Sequence, residues 1–404
     1  MYDFTELTEI EFLDFAEQQE SFNYLQTAEM KKLREARDAE GFYLGLRNGK
    51  KEIQLASLAF SVPVRFGRKF EISGGPLGEL TESLLTAFTE ELKKFAKAHD
   101  AIYLEMEPNR AYRLLDDDGQ ALSEDNTALL DVFQKAGYEH QGFYQRYEGG
   151  LPRFWYVKNL EKLTNETLVK SFTKDGQYSL KKAKKFGTQV RRLEYDELDK
   201  FKALTEAAAE HHDFHDKDLA YYQQFYKSFG EKADFLVAEL NFETYKEGLK
   251  SEIALLQTKI AASSSAKKEK QRTEFAAQIA AHEKRLTEAD ELSRGTKGTT
   301  ILSGGLFIYN PRETVYLFSG TIEKYRSLYA PYLIQEEIMR RTMMRQIPRY
   351  NFLGVQGIFD GTDGVLRFKE SFSGYIQENI GKFTLVIRPA KYRMISTLKK
   401  VLRR

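Results

Sequence analysis

The chain has 404 residues, of which 42% are hydrophobic, 13% aromatic and 30% charged: the composition of a folded protein with more than one compact unit. Sixty-one basic against 60 acidic residues leave a net charge of +1, which argues against a whole-surface nucleic-acid coat but not against local basic patches. There is no cysteine, so disulfides, thiolate nucleophiles and cysteine-ligated metals are excluded.

In chain order, "MYDFTELTEIEFLDF" carries acidic residues and no long apolar run, so a signal peptide is not expected. No segment reaches the roughly 20 apolar residues of a membrane helix. The expected location is cytoplasmic, with any membrane contact peripheral, at the inner face of the plasma membrane. Leucines and phenylalanines recur at helical spacing from Leu80 to Asp100. In the following "AIYLEMEP", Ile102, Leu104 and Met106 alternate with Tyr103, Glu105 and Glu107, which predicts a strand closed by Pro108. Helix followed by strand, repeated, implies α/β layers. Chemistry in α/β folds sits at strand ends, so Glu105 and Glu107 are candidates for a general base. The alternative is a pair of solvent-facing residues on an exposed strand.

The glycine pairs of "ISGGPLGEL" and "LSGGLF" match neither GxGxxG nor GxxxxGK[ST], so a nucleotide or dinucleotide loop is not expected. A pyrophosphate loop of the acyl-CoA acetyltransferase kind is absent as well. From about Leu151 a second α/β region begins. "SLKKAKKFGTQVRR" gathers Lys181, Lys182, Lys184, Lys185, Arg191 and Arg192, a run suited to nucleic-acid or lipid phosphates or, equally, to a solvated helix face. "DELDKFKALTEAAAEHHDF" and "YYQQFYKSFG" predict helices and "DFLVAEL" a strand. Within "HHDFH", His211 and His215 share a helix face. Without HExxH, and with Asp213 and Asp216 needed as extra ligands, a polar helix end is the expectation rather than a metal site.

Residues 242–297 differ. Leu249, Ile253, Leu256 and Ile260 are spaced four, three, four; "AASSSAKK" interrupts; Phe275, Ile279, His282 and Leu286 resume the seam. This predicts an inserted antiparallel helical hairpin with arms of about 30 Å. Its basic tip (Lys267, Lys268, Lys270 and Arg272) suits a polyanion. A purely structural dimerisation arm is the alternative. Beyond it come the strand pair "TTILSGGLFIYN" and "ETVYLFSGT", the helix "APYLIQEEIMRRTMMRQI", and the strand "KFTLVIRP". In "GVLRFKESFSGYIQENIGKF" a lysine, Lys369, lies among aromatics between glycine-rich turns; read alone, it is a surface charge.

These segments, together with "YLQTAEMKKLR", "AIYLEMEPNRAYRLLDDDG", "FHDKDLAYYQQFY", "VYLFSGT…YRSLYAPYLIQEEIM" and "RYNFLGVQGIF", resemble in order and spacing the FemABX aminoacyltransferases, which build peptidoglycan cross-bridges. The inserted hairpin resembles the FemA/FemB-like branch. The resemblance implies two GNAT-like subdomains (residues 1–150, with a terminal helix 390–404 packing back on them, and residues 151–241 with 298–389) and a coiled-coil arm (242–297) similar to the tRNA-binding arm of seryl-tRNA synthetase. It implies transfer of alanine, serine or glycine from aminoacyl-tRNA to the stem-peptide lysine or growing bridge of lipid II, without cofactor or metal. An amine attacking an activated ester needs a carboxylate to receive its proton and a cation for the oxyanion, and no covalent enzyme intermediate. By resemblance Glu107 takes the carboxylate role, where relatives commonly have Asp before Pro. Lys369 matches the family's Phe-Lys motif and becomes an ammonium beside the oxyanion, with Phe368 holding it. Arg34, and Lys217 with Tyr221 and Tyr222, match the precursor-phosphate positions, although relatives often have Lys at the first and Arg at the second. Lys at 217 lacks a guanidinium's planar fork. Tyr316 and Phe318 match an aromatic pair lining the site; Met30 stands where an aromatic is usual. The hairpin tip and Lys181, Lys182, Lys184 and Lys185 are the expected tRNA contacts. Two other readings remain: an N-acyltransferase using acyl-CoA or another donor, and a non-enzymatic tRNA- or membrane-binding adaptor.

Overall fold

The computed structural model describes residues 2–144, 151–212, 216–262, 269–296 and 298–402. The first half runs β1 (Asp3–Glu6), α1 (Glu9–Ala16), α2 (Ala28–Glu35), β2 (Glu40–Arg47), β3 (Ile53–Val64), β4 (Gly67–Ser73), β5 (Leu77–Gly78), α3 (Glu82–Ala98), β6 (Ala101–Glu107), β7 (Ala111–Leu115), α4 (Thr127–Lys135) and β8 (Glu139–His140). The second continues through β9 (Phe154–Asn159), α5 (Lys174–Lys184), β10 (Gln189–Arg192), α6 (Leu198–His212), α7 (Leu219–Phe229) and β11 (Ala233–Asn241). The hairpin helices α8 (Phe242–Ala261) and α9 (Glu269–Leu292) follow. Then come β12 (Thr299–Tyr309), β13 (Glu313–Thr321), α10 (Ala330–Met344), β14 (Arg349–Val355), α11 (Gly364–Glu370), β15 (Tyr375–Asn379), β16 (Phe383–Val386) and α12 (Pro389–Leu402).

Local chemistry explains the starts and turns. Thr8 and Glu11 form a reciprocal capping box on α1, and Thr81 caps α3 through the Leu84 amide. Between β12 and β13, the Asn310 Oδ1 accepts from the amides of Arg312 and Glu313, a side chain closing the turn that Pro311 begins.

The strands form two mixed sheets, β1-β2-β3-β4-β6-β16-β8 with β5 on β3, and β10-β11-β12-β13-β14-β9-β15-β7. The chain is therefore an α/β protein of two sheet-centred halves with an inserted helical hairpin. Two strands cross the boundaries drawn from the sequence. β7 pairs with β15 in the second sheet, Leu115 opposite Ile376, whereas β16 completes the first sheet between β6 and β8. The links β6–β7 and β15–β16 thus run side by side from one sheet to the other, held where the Ile380 amide donates to the Arg110 carbonyl at 3.0 Å.

A cluster of buried side chains joins the halves, with Phe12, Phe22 and Tyr24 from the first meeting Trp155, Phe201, Tyr222 and Phe235 from the second. Each fully buried aromatic contributes on the order of 1.5–3 kcal/mol, so the seam is as well packed as a domain interior. Arg312 pins it further by donating to the carbonyls of Glu17 and Gln19. Helix α12 covers the start of β6, where Ile395 and Tyr392 pack on Ile102 and Tyr103. Tyr103 is therefore buried despite lying on the strand face the sequence pattern gives to polar residues.

In the hairpin, Leu249 and Leu256 are buried and the other seam positions are the less exposed ones along both helices. Lys246 pairs with Asp290, Glu252 faces His282, and Lys259 lies over Phe275, the descending register of an antiparallel pair. Among the described residues no helix is long and apolar enough to cross a membrane.

Candidate functional site

Glu107 ends β6, at the point where the chain leaves the first sheet. It lines a pocket with Gly74, Asn109, Tyr144, Arg153, Trp155 and Asn379, so both halves contribute walls. The cavity volume is about 20 Å³, room for one water-sized group. Burial pushes the Glu107 carboxyl above its ordinary value; Lys382, at 3.6 Å, holds it back. Its neighbour Glu105 is engaged elsewhere, accepting from Lys69 at 3.0 Å. The two glutamates share a strand face without forming a pair.

Above Trp155 the second sheet is distorted. β9 runs between β14 and β15, with Trp155 opposite Gly354 on one side and Gln377 on the other. β14 slips register between Asn351 and Gly354, and Leu353 there has a left-handed φ of 55°. Such a bulge turns carbonyls out of the ladder. The missing partner is Lys369: its Nζ donates to the carbonyls of Phe352 (2.7 Å), Leu353 (3.2 Å) and Gly354 (2.6 Å). An ammonium has three N–H groups, and all are used here. Lys369 is 5% exposed, not a surface charge. Burial pushes it down to about 7, with the Asp363 carboxylate countering. Asp363 also caps α11 through the amides of Val365 and Leu366 and accepts from the Gln356 amide, which fixes the short helix against the end of β14. The glycine of "FSGY" is required because a Cβ on Gly374 would strike the Val157 carbonyl where β15 meets β9.

A buried carboxylate that sequence reasoning missed supports the same bulge. Glu313 accepts from Asn351 Nδ2 at 3.0 Å, and Asn351 Oδ1 accepts from the Leu353 amide at 2.8 Å. Burial raises the Glu313 carboxyl, with Arg349 countering, and its Oε1 has no hydrogen-bond partner among the described residues. Tyr24 lies between these groups: burial and the nearby Tyr221, Glu313 and Glu107 push its hydroxyl far above the usual value.

Helices α2 and α7 meet across the seam and gather most of the expected phosphate residues. The Lys217 ammonium lies 5.6 Å from the Tyr221 ring centre, and the Arg37 guanidinium lies 5.0 Å from it on α2's side. Tyr221 and Tyr222 both pack edge-on against Phe318. Burial raises Tyr221 to about 12, with Arg37 and Arg34 countering. Arg34 also pairs with Glu71 at 2.5 Å and lies over Phe60 at 4.8 Å. Tyr222 is committed to packing and donates to Asp216. Arg37 was not singled out from the sequence; its three-residue spacing from Arg34 on a basic helix end was the available signal.

Other expected residues fall elsewhere. β13 slips register opposite Leu306 and Phe307, which sends Tyr316 into the second half's core, stacked on Phe307 at 5.0 Å, and Phe318 into the seam. The pair therefore lies on opposite sheet faces. Phe368 packs on Tyr332 and Phe372, beneath the helix that carries Lys369. In the basic run, Lys184 pairs with Glu336 at 2.7 Å, Arg191 with Glu197 and Glu239, and Arg192 with Asp234. Lys182 lies over Tyr178 and Tyr329, while Lys181 and Lys185 are exposed. The run sits at the root of the hairpin, where Arg285 donates to the Lys185 carbonyl at 2.6 Å. Lys270 is exposed on α9 and Arg272 faces Glu269; Lys267 and Lys268 lie outside the described residues. So do His215 and Asp213, and the side chains of His211 and His212.

A model of the FemAB family matches residues 7–400. The aminoacyltransferase FemA of Staphylococcus aureus is 30% identical over 413 aligned residues, covering 98% of this chain and 98% of that protein. FemA of Staphylococcus epidermidis is 29% identical over 415, covering 98% and 99%. Among solved structures, the crystal structure of FemX superposes with a TM-score of 0.77 at 20% identity, covering 97% of this chain and 99% of that one, a likeness of fold.

Proposed function

This chain belongs to the FemAB family, and from that premise we propose that it transfers an amino acid from aminoacyl-tRNA to an amine of the stem peptide or growing bridge of lipid II. It is an aminoacyltransferase of peptidoglycan bridge synthesis. The observation that carries the chemistry is a carboxyl with a raised pKa, Glu107, in a pocket walled by both halves at the crossing of the two strands. A carboxylate whose pKa has moved up is a better acceptor for the proton of an attacking amine.

In this reading the neutral acceptor amine attacks the ester carbon, and its nitrogen passes a proton to Glu107 as the bond forms. Collapse of the tetrahedral intermediate then expels the ribose oxygen of the tRNA, which takes the proton back from Glu107. Lys369 is a positioning residue: its three bonds hold the β14 bulge beside Trp155. Lys217 and Arg37, with Arg34 behind them, supply positive charge for the acceptor's phosphates at the rim of the seam. The hairpin, with basic α5 at its root, takes the tRNA.

Purified protein, given alanyl-, seryl- or glycyl-tRNA with unbranched and singly branched lipid II analogues, is expected to transfer one of these amino acids. Transfer from acyl-CoA without tRNA, or no transfer from any charged tRNA, overturns the reading.

A further inference from the structure

Two buried N–H groups on residues that wall the Glu107 pocket have no acceptor among the described residues. Trp155 is 4% exposed and its indole Nε1–H is unpartnered; Arg153 Nε–H, in the same pocket wall, is unpartnered as well. Buried donors are almost always satisfied, so two orphans around one water-sized cavity require a reason. Neither side chain is loose. The Arg153 guanidinium is fixed by Nη2 donating to the fully buried Glu378, whose other oxygen accepts from Arg113 at 2.7 Å. Nη1 donates to the Tyr144 carbonyl at 3.4 Å, and the guanidinium lies over the rings of Phe143 and Phe154. Trp155 is clamped between β14 and β15, and the Lys369 ammonium fixes the backbone of β14 opposite it. An indole N–H can only donate, and so can a guanidinium. The pocket therefore offers a rigid pair of donors, one of them cationic, to a single oxygen carrying negative charge.

We propose that Trp155 Nε1–H and Arg153 Nε–H form the oxyanion hole of the acyl transfer, receiving the carbonyl oxygen of the aminoacyl ester. The assignment rests on the aminoacyltransferase reading above and names the groups that stabilise its intermediate. When the amine nitrogen bonds to the ester carbon, the carbonyl π electrons move onto that oxygen, which the two donors bind. The amine's proton goes to Glu107, which becomes neutral and so does not repel the new anion. On collapse the C=O bond re-forms, the C–O bond to the ribose breaks, and the proton returns to the leaving oxygen. Donors fixed before the reaction stabilise such charge without reorganising.

Trp155 is the sole tryptophan of the chain, so the donor can be removed with atomic selectivity. Global incorporation of 3-benzothienylalanine replaces one N–H by sulfur at this position and nowhere else, preserving the bicyclic shape. Trp155→Phe provides a genetic version. Both are expected to lower kcat about 100-fold while leaving KM for lipid II unchanged, and the sulfur-substituted protein, which keeps the bicyclic shape, is expected to keep its melting temperature. An aminoalkylphosphonate ester of adenosine, with tetrahedral anionic phosphorus in place of the acyl carbon, is expected to inhibit the wild type and to lose affinity in parallel with kcat in both variants. It is also expected to change the wild-type Trp155 fluorescence. Full kcat in the sulfur-substituted protein overturns the proposal, as does a lowered kcat with undiminished phosphonate affinity. A wild-type protein that transfers nothing overturns the underlying reading instead.

Discussion

Lys369→Met retains the stem of the side chain and removes its ammonium, and the structure says what that does. The carbonyls of Phe352, Leu353 and Gly354 lose their donors in a place water does not reach, since Phe352 is 1% and Leu353 8% exposed. A hydrogen bond from a charged group contributes about 1.5–3 kcal/mol, so three amount to at least about 4.5 kcal/mol. Against this stands the cost of burying the ammonium, which has pushed Lys369 down to about 7. Near neutral pH a shift of that size offsets nearly all of that gain; what Lys369→Met adds is three buried carbonyls without donors, at about 1 kcal/mol each a net destabilisation of the bulge of about 3 kcal/mol. That corresponds to roughly a 100-fold rise in local opening, at 1.4 kcal/mol per factor of ten. The assay is hydrogen–deuterium exchange of the Arg349–Val355 segment alongside aminoacyl transfer. Exchange is expected to accelerate about 100-fold in β14 and to stay unchanged in the first sheet, with transfer falling as Trp155 loses its support. Unchanged exchange in β14 together with lost transfer would refute the argument and return Lys369 to the role of an ammonium facing substrate.

Glu107→Gln is expected to lower kcat about 100-fold with little change in lipid II KM. In the wild type, kcat should rise with pH as Glu107 loses its proton, at a pH above the ordinary glutamate range, and the Gln variant should lack that limb. Arg37→Ala is expected to raise KM for a phosphate-bearing acceptor several-fold and to flatten its salt dependence, leaving KM for charged tRNA unchanged; equal loss with a phosphate-free stem peptide would count against it. Lys158 is buried, donates to the Ser373 carbonyl at 2.9 Å, and is pushed down by burial to about 8. Between about 8 and the ordinary lysine value the unfolded chain holds more protons than the folded one, so stability rises with pH through that window. Lys158→Met should remove this group's share, about 3 kcal/mol, from the pH dependence of unfolding midpoints. Replacing 242–297 by a short Gly-Ser linker should leave both sheets folded by circular dichroism while weakening tRNA binding at least 10-fold; undiminished affinity would release the hairpin from that task.

Element types were legible in the sequence because they depend on spacing within a few residues. The alternation of Ile102, Leu104 and Met106, the four-three-four seam of Leu249, Ile253, Leu256 and Ile260, and the turn at Asn310 each record a local geometry that the structure contains. Glu107 was recognisable as the carboxylate at a strand end, and Arg34 and Lys217 by their place in family motifs. Pairing between distant strands leaves no such trace. β7 and β16 exchange sheets because their partners lie some 270 residues away, and only the assembled seam decides which edges remain to be paired. A one-residue slip in β13 parts Tyr316 from Phe318, which a period-two reading keeps on one face. The lysine of "FKESF" is identical in type whether it meets solvent, substrate or three carbonyls; the bulge at Leu353 chose the last. Whether a donor such as Trp155 Nε1 finds an acceptor is likewise a property of the packed whole, since burial and hydrogen-bond partners come from segments remote along the chain.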